Sequence, residues 1–124
     1  MKVTGINPVF AVKDFEETLP IYEALGFKVI HKNPGLKGCM YYVLADEEDH
    51  RFDVALQPDV DPETDITQML RINVDDFDEA YKLFTDKGFT SKRGVHDTDS
   101  FTCVSLTDPT GCYSVYLTKH KRKD

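Results

Sequence analysis

The sequence predicts an α+β fold: two tandem βαβββ units forming a curved, partly closed mixed sheet, with the helices outside and a ligand groove inside. Three observations carry that reading. Val12-Lys13-Asp14-Phe15-Glu16-Glu17 and its sequel Gly26-Phe27 overlay without a gap on Val74-Asp75-Asp76-Phe77-Asp78-Glu79 and Gly88-Phe89, a constant shift of 62 residues in a chain of 124. Such a period marks two copies of one supersecondary unit. Within each copy, strand-like alternation gives way to helical spacing and then returns to alternation. In each copy an Asp opens the helical stretch and a Gly closes it, the two residue types that suit those ends.

The elements follow in order. Val3–Val12 reads as a strand, and Pro8 inside it, having no N–H for a ladder, predicts an edge or a bulge. Asp14 caps a helix, with Glu17 three residues on to complete a capping box. Phe15, Leu19, Tyr22 and Leu25 form one apolar stripe, Pro20 distorts the start of the helix, and Gly26 ends it. Strands are expected over 27–32, 39–45 and 51–57, with a loop over 33–38 and a charged turn over 46–50. In the second copy, strand 68–74 leads to a helix capped by Asp76, with Phe77, Ala80, Tyr81 and Phe84 on its stripe and Gly88 at its end. A short strand over 90–93, a loop over 94–100, and strands 101–107 and 113–119 complete it. Asp108-Pro109-Thr110-Gly111 suits a type I turn between the last two. The predicted organisation is one domain of two repeats, 1–57 and 68–119, joined by a polar linker over 58–67 and followed by a basic, solvated tail over 120–124.

A four-stranded sheet with one helix has one face covered and one bare. Pairing two such units is the expected solution, and it turns the bare faces into a ligand groove.

Bulk composition narrows the function. A net charge of −7 argues against a nucleic-acid partner, which requires concentrated Lys and Arg. No apolar run approaches about 20 residues, so no membrane span is expected. The N-terminal ten residues lack the apolar segment of a secretory leader. Three cysteines, an odd number with no CxxC spacing, point to a reducing compartment and a cytoplasmic protein.

The doubled βαβββ unit, the D-F-x-E-x(8)-G-F phrase and the D-P-x-G turn before the last strand resemble the vicinal oxygen chelate superfamily. Its members include glyoxalase I, extradiol dioxygenases, fosfomycin-resistance thiol transferases and bleomycin-resistance proteins. The resemblance runs from Val3 to Lys119. It implies, for the metalloenzymes, a histidine seven residues before each capping Asp and a glutamate on the last strand of each unit. Here those places hold Asn7 and Met69, while Val115 or Tyr116 takes the place of the second glutamate. In the first unit Asp53, Ala55 and Gln57 are the candidates by strand parity. This set predicts no metal and no other cofactor, and a character closest to the metal-free bleomycin-resistance-like members. In those binders a second chain commonly completes the groove, which implies a symmetric homodimer.

Strand parity sorts the side chains that would meet a ligand. Pro8, Phe10 and Val12 face the helix, which leaves Asn7, Val9 and Ala11 for the bare face. Leu70, Ile72 and Val74 likewise leave Met69, Arg71 and Asn73. Phe101, Cys103 and Ser105 join them if Val104 and Leu106 are core, as does Tyr116 if Val115 and Leu117 are. The predicted ligand-binding residues are Asn7, Asp53, Met69, Arg71, Asn73, Phe101 and Tyr116. Arg71 needs an anion, supplied either by Asp53 or by a carboxylate or phosphate of the ligand, and the aromatics suit a planar ligand. His96 with Asp97 is considered as a base with its orienting carboxylate, and Cys103 as a buried, inert thiol. The expected function is metal-independent binding of a small molecule, an antibiotic or a metabolite, by sequestration. The alternatives are a metal-dependent lyase, dioxygenase or epimerase with a site rearranged around Asp53, His31 or His96, and a structural protein whose groove is filled by side chains.

Overall fold

In a computed structural model, residues 1–35 and 38–121 are described. The elements run β1 (Val3–Val12), α1 (Phe15–Ala24), β2 (Lys28–Pro34), β3 (Met40–Ala45), β4 (Arg51–Leu56), β5 (Gln68–Val74), α2 (Phe77–Asp86), β6 (His96–Asp97), β7 (Phe101–Thr107) and β8 (Ser114–His120). The eight strands form one mixed sheet in the order β2-β3-β4-β1-β5-β8-β7-β6. The chain divides into two compact units, Asn7–Gln68 and Met1–Ile6 with Met69–Asp124. Strand β1 belongs to both, its first residues to one and its remainder to the other.

In the Asn7–Gln68 unit, β1 pairs in parallel with β4 from Val9↔Asp53 to Val12↔Leu56. Strands β4, β3 and β2 follow as antiparallel neighbours. Phe15, Leu44 and Val54 are buried in its core, with Phe10, Leu19, Tyr22, Phe27 and Phe52 packed around them. The core is strongly aromatic: Phe15 stacks on Tyr42 at 3.7 Å between ring centroids, and Phe52 meets Phe10, Tyr22 and Phe27 within 5.7 Å. Rings bring large apolar area with defined geometry, so few residues suffice to hold α1 against the sheet.

In the other unit, β5 pairs in parallel with β8, and β8, β7 and β6 are antiparallel. Val74, Phe77, Ala80, Val104, Leu106, Val115 and Leu117 are buried together under α2. Asp108 builds the turn before β8: Thr110, Cys112 and Tyr113 donate backbone N–H groups to its carboxylate at 3.1, 2.7 and 3.2 Å. The bond from the Gly111 N–H to the Asp108 carbonyl, 3.0 Å, closes the expected turn.

The helix ends repeat. Asp14 accepts from the N–H groups of Glu16 and Glu17, and Asp76 from that of Glu79. At the other ends, Gly26 and Gly88 have φ of +100° and +95°. Phe27 N–H reaches Tyr22 O and Phe89 N–H reaches Phe84 O at 2.9 and 3.1 Å, while Gly26 and Gly88 bond to Glu23 O and Thr85 O. These are two Schellman closures, each with its apolar contact between the residue after the glycine and the helix. That contact is a T-shaped ring pair both times, Tyr22 with Phe27 and Phe84 with Phe89.

Several expectations need correction. Leu25 does not join the α1 stripe; it is the C-cap and 66% exposed. Of the edge or bulge expected at Pro8, the edge is excluded, because β1 has strand neighbours on both sides; the pairing with β4 begins one residue later, at Val9. The missing N–H of Pro8 falls where β1 passes from one unit to the other. Strand β2 continues through Asn33 and Pro34, paired with Tyr41 and Met40; Leu36 and Lys37 of the expected loop lie outside the described residues. The strand expected over 90–93 reduces to one bridge, Thr90↔Thr107, and a two-residue strand, His96–Asp97, lies inside the expected loop. The Glu79 carboxylate faces the Met1 amine at 3.5 Å, and no return bond to the Asp76 cap is found among the described residues. His120 belongs to β8, and Lys121 is held by Asp97 and the Thr98 carbonyl at 2.6 Å each; the rest of the expected tail lies outside the described residues. No helix among the described residues is long and apolar enough to cross a membrane.

Candidate functional site: the open sheet faces

Each unit has a sheet face turned away from its helix, and strand register fixes which side chains share it. In the Asn7–Gln68 unit, Phe10, Val12, Val54 and Leu56 pack toward α1. Asn7, Val9, Ala11, Asp53 and Ala55 therefore lie on the open face. One cross-strand row there is Val9, Asp53, Val43 and His31. Asp53 is fully buried, and the Asn7 Nδ2 donates to its Oδ1 at 3.0 Å. This amide–carboxylate pair joins two of the predicted site residues. His31, in contrast, is exposed.

In the other unit, Ile72, Val74, Val104, Leu106, Val115 and Leu117 pack toward α2. The open face carries Met69, Arg71 and Asn73 from β5, Tyr116 and Thr118 from β8, and Phe101, Cys103 and Ser105 from β7. Register groups them into rows: Met69–Ser114–Thr107, Arg71–Tyr116–Ser105 and Asn73–Thr118–Cys103–His96. Arg71 and Tyr116 are half-buried neighbours in the middle row. Phe101 lies at the β7 end, opposite His120.

The parallel pairs resolve which residue stands opposite the capping repeat on β8. Val9 pairs with Asp53, and its repeat equivalent Arg71 pairs with Tyr116. Tyr116 is thus the counterpart of Asp53, whereas Val115 is buried under α2. At the places where the resemblance puts metal ligands stand Asn7 and Met69, with Tyr116 the open-face candidate on β8 and Asp53 the one carboxylate among the candidates on β4. They supply an amide that donates to the neighbouring carboxylate, a thioether, one carboxylate and a phenol. Hard or borderline divalent ions are held by imidazole and carboxylate donors, and these residues do not fit such an ion. Among the described residues no three His, Cys, Asp or Glu side chains gather as a metal-binding group.

Two other expectations concern reactivity. Cys103 is buried, and burial pushes its thiol above the ordinary value, against the opposing effect of a hydrogen bond from the Tyr116 hydroxyl. It is a neutral thiol, not a nucleophile. His96 and Asp97 do not form a dyad. They are consecutive strand residues that point to opposite faces, and Asp97 is bound instead by Lys121 at 2.6 Å and Thr102 at 2.9 Å. Those bonds, Lys121 foremost, lower the Asp97 pKa.

The unit containing α2 also has two shallow clefts, of about 710 and 470 Å³. Thr4, Asp75 and Lys119–Lys121 border the first, and Asp76, Phe77, Tyr81 and Asp97 the second. None of the seven predicted ligand-binding residues lines either. Sequence reasoning missed Gly5, Thr118 and the strand position of His96 on the open face. A strand-interior glycine was the one available signal; the rest depends on register.

A family model described as the Glyoxalase/Bleomycin resistance protein/Dioxygenase superfamily matches residues 5–113. Among solved structures, glyoxalase I from Zea mays is similar with a TM-score of 0.69 and 18% identity, over 98% of this chain and 44% of the maize chain. Methylmalonyl-CoA epimerase from Mycobacterium tuberculosis has a TM-score of 0.69 at 16% identity, over 97% of this chain and 90% of that one. A superfamily member from Vibrio splendidus 12B01 has a TM-score of 0.62 at 14% identity, over 95% of this chain and 99% of that one. No curated protein matches the chain. At these identities the structural likeness shows the fold alone.

Proposed function

The chain belongs to the Glyoxalase/Bleomycin resistance protein/Dioxygenase superfamily, and from that premise we propose that it is a metal-independent binder of a small molecule, sequestering an antibiotic or a metabolite on its open sheet faces. The observation that carries this reading is the pairing of Asn7 with Asp53 at 3.0 Å. The one carboxylate among the four positions of interest is already engaged by an amide donor, and Met69 and Tyr116 are poor ligands for a divalent ion. What those faces offer instead is recognition chemistry. On the unit containing α2, Arg71 brings a positive fork for an anionic group, Tyr116 and Phe101 bring aromatic surface, and Asn73 brings hydrogen-bonding capacity; on the other unit, Asn7 and Asp53 bring hydrogen-bonding capacity of their own. The ligand that matches the face of the α2 unit is planar or conjugated and carries both polar and anionic groups. Bleomycin is one candidate, favoured by the net charge of −7 and disfavoured by Arg71.

The proposed partner besides the ligand is a second copy of the chain, in a symmetric homodimer. A cytoplasmic location accords with Cys39, Cys103 and Cys112 all being free thiols.

A thermal-shift screen with antibiotics and metabolites tests the reading, because a ligand that binds the native state raises the melting temperature. The expected result is at least one saturable rise that is unchanged by excess EDTA and lost in Arg71→Ala. A rise that EDTA abolishes contradicts the metal-independent reading, and a screen with no rise contradicts the binder.

A further inference from the structure

Asn73, Thr118, Cys103 and His96 form one registered row across β5, β8, β7 and β6. Gly5 on β1 lies at the Asn73 end: a Cβ placed on it would stand 3.0 Å from Asn73 Nδ2. The row faces away from α2, since Ile72, Val74, Leu117 and Val104 fill the other side.

Three atoms of this row are buried with no hydrogen-bond partner among the described residues: Asn73 Oδ1, Thr118 Oγ1 and His96 Nε2. Thr118 is only 3% exposed. Buried polar atoms are nearly always paired, because leaving one bare forfeits its hydration without return. Three bare atoms in one row concentrate that cost, although apolar side chains of similar shape would remove it. Gly5 makes room for this row: its φ is not in the left-handed region, and the group that approaches it is the Asn73 side chain itself.

We propose that this row is a subsite for the uncharged, hydrogen-bonding end of a small molecule, an amide or a hydroxyl-bearing group. Asn73 Oδ1 can only accept, while the Thr118 hydroxyl and His96 Nε2 can accept or donate, so the ligand must bring at least one N–H or O–H donor. The row contains no Asp, Glu, Lys or Arg. A charged group would therefore be desolvated there without a counter-charge. Asp97, next to His96, points to the opposite face and is bound by Lys121. Arg71 stands in the neighbouring row beside Tyr116, where an anionic remainder of the ligand meets it. The neutral Cys103 thiol lies within the row, its pKa raised by burial. This inference rests on the reading of the open faces as ligand-binding surfaces.

Thr118→Val in the full chain tests it. Valine keeps the shape and removes a bare hydroxyl, so the free variant is expected to melt at a higher temperature than the wild type. In a ¹⁵N NMR titration of the wild type, N-methylacetamide is expected to shift the Asn73, Cys103 and Thr118 amides saturably, with acetate and methylammonium having little effect. Thr118→Val and Asn73→Leu should each weaken that response at least threefold, and Thr118→Ser, which retains the hydroxyl, should preserve it. A lower melting temperature for Thr118→Val overturns the inference, as does an equal response to the charged probes or no response to N-methylacetamide. Loss of this row's response with thermal-shift hits intact removes this inference alone. Loss of the hits with the row's response intact removes the sequestration of an antibiotic or metabolite and leaves the open face a ligand-binding surface.

Discussion

The Asp108 carboxylate accepts from the Thr110 hydroxyl at 2.6 Å as well as from three backbone N–H groups. The Thr110 hydroxyl contributes most, and together these bonds lower its pKa from 3.8 to about 2. A group whose folded pKa is depressed stabilises the fold fully above its unfolded pKa. That contribution is lost as protons bind the folded state, between about pH 4 and pH 2. The urea midpoint should fall as pH drops through that window, and it should fall less steeply in Asp108→Asn, which is already weakened at neutral pH. Equal slopes in the two proteins would show that other carboxylates govern acid sensitivity. The turn around Asp108 was legible because Asp, Pro and Gly each have a local backbone task there. Thr118 was not legible, since its importance depends on Asn73 and Cys103 being placed beside it by strand register.

The two helices show what local sequence can specify. Asp14 and Asp76 cap the first turns, and Gly26 and Gly88 close the last by adopting positive φ. Alanine at either glycine places a Cβ in a left-handed conformation, a cost of about 1–2 kcal/mol. Gly88→Ala is expected to cost more than Gly26→Ala, because its Cβ would also meet Pro109 Cγ at 3.3 Å while the one at Gly26 meets nothing within 4 Å. Chemical denaturation of both variants checks the order, and equal losses would deny the Pro109 contact any role. The same local logic explains two failures. Leu25 fits the apolar spacing of α1, but it is the capping residue, and the chain turns away there to form the Schellman closure. Strand β6 has only two residues among turn-forming neighbours, so its pairing with Cys103 and Thr102 leaves no periodic trace in the sequence.

At the scale of the whole molecule, the 62-residue repeat determined the pair of units, and the open-face chemistry depends on where the copies diverge. Asn7 and Met69 are repeat equivalents, as are Asp53 and Tyr116 by register. Asn7 and Asp53 bond to each other within their unit, whereas Met69 and Tyr116 put a thioether and a phenol at the matching positions. The strand faces were legible from alternation, whereas the choice between Val115 and Tyr116 required the parallel pairing of β5 with β8. If a second copy completes the binding surface, light scattering on the purified protein should give twice the chain mass, and ligand binding should weaken with dilution below the dimer's dissociation constant. A monomer with undiminished binding would remove the partner from the account.

The proposal stands on each unit's open sheet face binding a small molecule without a metal. Elemental analysis of protein purified without chelator tests it most directly. Far less than one divalent ion per chain is expected, unchanged in Asp53→Asn; close to one ion per chain, lost in Asp53→Asn, would rule out metal-independent binding.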